Sequence, residues 1–286
     1  MNPRNRWLAV GIGAAVLLLG WGIAFRGRQP SAFVAPPPPA QGPQRAKEPA
    51  SDSADLKALL ARAEAARSQD SLLEAKQIYR QILQQNPESS AATLVQQKIG
   101  EVNLKLILSP AATPESAAYV VQPGDTLSKI ARQRHITLNL LKSSNGLTSD
   151  VIRPGQRLKI IKPDFSVVVD KSQNILTLKN GEEVLKVYRC STGKEGITPT
   201  GTFKVINRMV DPPWYSTEGV IPPGDPRNVL GTRWLGFDAP GYGIHGTTDP
   251  ASIGKPVTKG CVRLANSDVE ELFTLLPEGT PVTIVD

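Results

Sequence analysis

Tyr242-Gly243-Ile244-His245-Gly246-Thr247 and, further on, Thr258-Lys259-Gly260-Cys261-Val262-Arg263-Leu264 are the two stretches that decide how this chain of 286 residues is read. They set a thiol, an imidazole and a guanidinium in one short segment. The whole chain has two cysteines and two histidines, and one of each stands here. A thiol is a poor nucleophile at neutral pH until a neighbouring base takes its proton, and imidazole is the side chain suited to that. His245 is the candidate base and Cys261 the candidate nucleophile. Gly246 and Gly260 let the backbone approach a ligand closely or turn through positive φ. The Gly246 carbonyl is the candidate group to orient the imidazole, and backbone N–H groups around Gly260 and Cys261 are candidates for an oxyanion. Arg263, with its planar fork, suits a substrate carboxylate. Tyr242, Thr258 and Lys259 complete the candidate substrate-binding set. The other histidine, His135, lies in a different module, so His245 is the histidine base available to Cys261.

These residues resemble the signature of the L,D-transpeptidase (YkuD) family: a His-Gly-small start, a spacer, then a Gly-Cys, a β-branched residue and Arg. Ser191-Thr192-Gly193 and Thr198-Pro199-Thr200-Gly201-Thr202-Phe203 are similar to that family's early hairpin. Asn228-Val229-Leu230-Gly231 resembles its approach to the active-site histidine. One position departs: Lys259 stands where the family often has a second histidine. The resemblance spans residues 165–286 and implies a mainly-β catalytic domain of sandwich or barrel type. It also implies the chemistry: Cys261 forms a thioester with a peptidoglycan tetrapeptide stem, D-alanine leaves, and the acyl group passes to an amine. A second stem gives a 3→3 cross-link; a lipoprotein lysine or a free D-amino acid are other acceptors. Water in that role gives an L,D-carboxypeptidase, and an inert member would be a wall-binding scaffold.

Composition agrees with several modules rather than one. The net charge of +7 and pI near 9.4 favour anionic partners such as wall polymers or lipid headgroups. No concentrated Lys/Arg run marks a nucleic-acid footprint. Cysteine and histidine are too few and too scattered for a zinc site, and no metal or other cofactor is expected. Cys190 ends an apolar, strand-like run and reads as a packed thiol, unpaired with Cys261.

From the N-terminus, residues 1–28 read as a membrane anchor or signal segment. Trp7 to Phe25 carry no charge, and as a helix they would extend about 28 Å, close to the ~30 Å of a bilayer core. Arginines at 4, 6, 26 and 28 flank the stretch. A cleaved signal peptide is the alternative, since Gly22-Ile23-Ala24 is a small-x-small site inside the run. The uncleaved transmembrane helix is favoured, with everything after it in the cell envelope on the periplasmic or extracytoplasmic side. Residues 29–53, with prolines at 36–39, form an extended linker. Residues 54–110 show apolar spacing of helical period and resemble a tetratricopeptide unit, too short for a solenoid. They predict a helical spacer, a packing partner for the next module, or a docking surface for a partner protein.

Residues 118–162 alternate differently. Tyr119-Val120-Val121 ends at Pro123-Gly124, Asp125 or Thr126 caps a helix with Leu127, Ile130 and Ala131, a second helix covers Leu138 to Ser144, and Pro154-Gly155 turns into a last strand. This βααβ pattern resembles a LysM module. The resemblance implies binding of N-acetylglucosamine-containing glycan, with Gly124, Asp125, Thr126, Asn145, Gly146 and Leu147 in the two groove loops. Beyond residue 165, short strands bounded by Gly and Pro prevail, with one helix expected at Asp268 to Leu276. Val210 to Asn228, with Trp214, Tyr215 and five prolines, reads as a long loop over the cleft.

Overall fold

The computed structural model describes residues 54–87, 89–114, 116–217 and 219–286. Three helices come first: α1 (Ala54–Ser68), α2 (Leu72–Gln85) and α3 (Ala92–Leu108). Their apolar residues fall three and four apart, so each helix presents one stripe. Leu56 and Ala63, Ala75, Ile78, Tyr79 and Ile82, and Val95, Ile99 and Val102 bury against one another as a core of their own. Tyr79 keeps its hydroxyl paired inside that core by donating to Glu64 Oε1 at 2.6 Å.

The next module is β1 (Ser116–Val120), α4 (Leu127–Gln133), α5 (Leu138–Ser143) and β2 (Arg157–Ile161). Thr126 and Thr137 start the two helices by accepting from Lys129 N at 3.2 Å and Leu140 N at 2.8 Å, which satisfies donors that a helix N-terminus leaves unpaired. β1 and β2 pair antiparallel, with Tyr119 opposite Leu158.

The C-terminal domain supplies the remaining strands. In order they are β3 (Phe165–Asp170), β4 (Ile175–Asn180), β5 (Glu183–Arg189), β6 (Thr192–Gly193), β7 (Gly201–Val210), β8 (Trp214–Ser216), β9 (Gly219–Ile221), β10 (Arg233–Phe237), β11 (Gly243–His245), β12 (Pro256–Thr258), β13 (Val262–Arg263) and β14 (Pro281–Val285), with α6 (Asn266–Leu275) before the last. Eight of them pair in the order β13-β11-β10-β7-β14-β3-β4-β5. The long strand β7 serves both halves: Gly201 to Lys204 pair with β14 and Val205 to Val210 with β10. The two ends of this sheet then meet. Ser191, just past β5, forms an antiparallel bridge with Arg263 of β13, with both N–H···O bonds at 2.8 Å. Closure of this kind leaves few strand edges open, and here it brings β5's C-terminal end to the strand that follows Cys261.

The expected long loop 210–228 has structure of its own. Trp214–Ser216 and Gly219–Ile221 pair as a small antiparallel flap. Asn228 pins its base: Nδ2 donates to Pro212 O at 2.9 Å and to Pro222 O at 3.2 Å, and Oδ1 accepts from Leu230 N at 3.0 Å.

The modules pack closely. The apolar residues of the βααβ module and the β domain form one core, which Leu104 and Ile107 of α3 join. Asn103 of α3 donates to Leu185 O of β5 at 2.9 Å, and Lys76 of α2 pairs with Glu183 at 2.8 Å. The helices therefore cover β5. Lys159 of β2 points its ammonium at Leu106 O and Ser109 O, at 2.7 and 2.8 Å, where the last carbonyls of α3 attract a cation.

One part of the expected architecture is corrected. Among the described residues no helix is long and apolar enough to cross a membrane, and the transmembrane helix expected over residues 7–25 lies outside the described residues. The architecture that stands is a helical unit, a βααβ module and a mainly-β domain.

Candidate active site

β11 ends at His245, and β13 runs parallel to it, with Ile244 opposite Val262 and His245 opposite Arg263. Cys261 immediately precedes β13 and therefore lies beside the strand that carries the imidazole. Its thiol donates to Gly241 O at 3.4 Å. His245 is 3% exposed. Its backbone is held from both sides: Leu264 N donates to His245 O at 2.9 Å, and Gly246 N donates to Arg233 O at 3.2 Å. Trp234 lies alongside the ring, with centroids 6.2 Å apart and planes 20° from parallel.

His245 Nδ1 is 2.6 Å from Gly246 O. A carbonyl only accepts, so Nδ1 carries the proton and Nε2 is left as the basic nitrogen. Burial pushes the imidazole down to about 4, with Arg263 adding to the depression and the Gly246 and Leu230 carbonyls opposing it. The ring is therefore neutral at pH 7 and able to accept a proton. Burial pushes the Cys261 thiol up, while a backbone contact at Gly243 and the charge of Arg263 pull it down. The resting site pairs a neutral thiol with a neutral base.

The loop before the thiol is shaped by Gly260, whose φ is +121°; a Cβ there would stand 2.7 Å from Tyr242 Cε1. Glycine is the residue that tolerates both that φ and that approach. Tyr242 thus meets the nucleophile loop directly. Thr258 Oγ1 donates to Cys261 O at 2.6 Å and accepts from Gly260 N at 3.2 Å. The Gly260 N–H, expected to face an oxyanion, is thus directed to Thr258. Lys259 sits with its ammonium 5.5 Å from the centre of the Trp214 ring on the flap. Arg263 Nη1 donates to Ser252 Oγ at 3.0 Å, and its Nε is buried with no partner.

Three groups at this site escaped the sequence reading: Trp234, Ser252 and Asn266. Asn266 opens α6, and its Oδ1 accepts from Thr247 N at 2.9 Å and Thr232 N at 3.3 Å. The pairing of Asn with a loop from elsewhere in the chain has no periodic or spacing signal. Cys190 is buried and unpaired, and Cys261 is also a free thiol.

The six groove candidates of the βααβ module fall in its two loops. Gly124 is exposed at φ +83° with open space where a Cβ would be, and Gly146 has φ +62°. Asp125 Oδ2 accepts from Tyr119 Oη at 2.6 Å and Gln122 N at 2.8 Å. Thr126 caps α4. Asn145 ties α5 to β2: Nδ2 donates to Leu141 O and Lys159 O, both at 2.8 Å, and Oδ1 accepts from Lys159 N at 2.6 Å. Leu147 packs on the shared core. Asp125, Thr126 and Asn145 hold the loops in shape, and the surface they offer is that of the module as a whole.

A thiol next to the strand that carries an imidazole, on a closed β-sheet, fits thiol-dependent acyl transfer. Residues 164–284 match the L,D-transpeptidase catalytic domain family (YkuD), and residues 119–160 match the LysM domain. The putative L,D-transpeptidase YkuD of Bacillus subtilis (strain 168) is 39% identical over 174 residues, covering 58% of this chain and 97% of that protein. The putative L,D-transpeptidase YqjB of the same strain is 43% identical over 129 residues, covering 43% of this chain and 72% of the relative. The probable L,D-transpeptidase YcfS of Escherichia coli (strain K12) is 28% identical over 200 residues, covering 60% of this chain and 62% of the relative. This chain belongs to the L,D-transpeptidase (YkuD) family.

Proposed function

We propose that this L,D-transpeptidase forms a thioester between Cys261 and a peptidoglycan tetrapeptide stem and passes the acyl group to the amine of a second stem. The observation that carries this reading is the Nδ1–H···O bond of His245 to Gly246, which leaves Nε2 as the basic nitrogen on the strand next to the one preceded by Cys261. In the first half-reaction Nε2 takes the thiol proton and the sulfur attacks the carbonyl before the terminal D-alanine. The C–N bond breaks, Nε2 returns the proton to the leaving amine, and D-alanine departs. In the second, the acceptor amine attacks the thioester, Nε2 takes its proton, and the thiol is restored. The Cys261 N–H is our candidate for the oxyanion, and Arg263 our candidate for the stem carboxylate. The LysM module holds the glycan strand near the site, in keeping with peptidoglycan as partner.

The same reading puts the enzyme in the cell envelope, where finished stems occur. Protease protection of the C-terminal domain in spheroplasts or protoplasts tests that placement; degradation only after the cytoplasmic membrane is ruptured would contradict it. The catalytic reading is tested with purified disaccharide-tetrapeptide and mass spectrometry. Release of D-alanine with a 3→3 dimer is expected, and Cys261→Ala abolishes both. A tripeptide without dimer would make water the acceptor, and the carboxypeptidase reading would replace this one. Glycan binding without any covalent adduct would leave a wall-binding scaffold.

A further inference from the structure

The Gly246–Thr247 peptide group, the second after His245, is held at both of its ends. Its carbonyl, Gly246 O, accepts the imidazole proton at 2.6 Å. Its N–H, on Thr247, donates to Asn266 Oδ1 at 2.9 Å. These two atoms belong to one planar unit, so they cannot turn independently. An acceptor on the N–H side therefore fixes the direction in which the carbonyl points. It also polarises the amide, making the carbonyl oxygen a stronger acceptor for Nδ1–H. The same Oδ1 accepts from Thr232 N at 3.3 Å, tying the segment before β10 to the segment after β11. Gly246 makes this approach possible, since a Cβ there would stand 2.1 Å from Asn266 Oδ1. Trp234, two residues beyond Thr232, lies alongside the imidazole.

We infer that Asn266 is a positioning residue for catalysis: through the Gly246–Thr247 peptide it holds His245 in the Nδ1–H tautomer and strengthens the imidazolium when Nε2 takes the thiol proton. It does for this site, one peptide removed, what a carboxylate does when it touches an imidazole directly. No substrate contact is assigned to it. The charged group that acts on His245 is Arg263 on β13, and Asp249 and the Cys261 thiol act on Arg263 in turn. None of them contacts the Gly246–Thr247 peptide, which leaves Asn266 as the described side chain that accepts from it.

This inference rests on the acyl-transfer reading for its purpose, but its test does not use a stem substrate. The full chain is alkylated with iodoacetamide across pH 5–9, and the Cys261 peptide is quantified by mass spectrometry. Asn266→Ala is expected to slow alkylation at pH 7 about tenfold or more and to move the pH–rate profile to higher pH. Asn266→Asp restores an acceptor and adds negative charge, so it is expected to recover most of that loss and move the profile to lower pH. Thermal unfolding of each variant separates these effects from loss of fold. Opposite profile shifts in folded variants support the inference. Equal losses with an unmoved profile, or Asn266→Ala reacting at the parent rate, overturn it. Failure of the parent chain to release D-alanine from tetrapeptide, with the Asn266 dependence intact, would defeat the stem reading and leave this inference standing.

Discussion

Cys190 and Cys261 approach the bridge that closes the sheet from its two ends: Cys190 precedes Ser191 by one residue, and Cys261 precedes Arg263 by two. Both thiols are raised by burial, Cys190 to about 12 with the Asp170 carboxylate adding to it. Around Cys261 the groups that oppose burial are the Arg263 charge and the Gly243 backbone, and an imidazole sits on the neighbouring strand. Reactivity is thus decided by directional neighbours, because burial alone acts on both sulfurs in the same sense.

The largest effect separates the two thiols outright. Cys261→Ala is expected to abolish the covalent adduct with a carbapenem, seen by intact mass, and His245→Gln to slow acylation about 10³-fold or more. Cys190→Ala should acylate like the parent; an adduct lost with Cys190 would break the comparison. Next comes the cost of keeping the imidazole neutral. The folded value of about 4 lies below the ordinary 6.5, so the unfolded chain binds more protons between those values. His245 then contributes stability above pH 6.5 that is lost as pH falls toward 4, on the order of 3 kcal/mol. Denaturant midpoints at pH 7 and 4.5 should converge more in His245→Gln than in the parent; an identical pH dependence would contradict the buried neutral ring. Arg263→Met removes a charge that favours the thiolate, and alkylation of Cys261 at pH 7 should fall about tenfold while that of Cys190 stays undetectable. The smallest effect is structural. Cys190→Ala empties a sulfur-sized volume in the core and should cost about 1 kcal/mol, read from the urea midpoint with an unchanged slope.

Much of this was legible in residue order. The βααβ module announces itself by local means: Pro-Gly turns, threonine caps and apolar spacing all act within a few residues. The helices of 54–108 read from their period for the same reason. Helix α6 begins at Asn266, two residues before the expected Asp268, directly after Ala265, an N-cap that is still extended at ψ 151°. The flap escaped because its two strands are three residues each, too short for alternation to register. The partner of the helical unit escaped too: Asn103 meets Leu185 across 82 positions, and apolar periodicity says only that a face is covered, not by what.

The candidate site divides along the same line. His245, Cys261, Gly260 and Arg263 stand out in the chain because chemistry and φ restrict which residues can occupy those positions. Asn266 does not stand out, since an amide accepting two backbone N–H groups is ordinary in composition and becomes specific only through the loops it joins. By itself the sequence determined the modules, the thiol–imidazole chemistry and the glycine that precedes the nucleophile, all of which depend on residue type and short spacing. Tertiary structure alone decided which tautomer the imidazole holds, where the Gly260 N–H points, and what braces the Gly246 carbonyl. Those depend on hydrogen bonds whose angles exist only once distant strands have been brought into register.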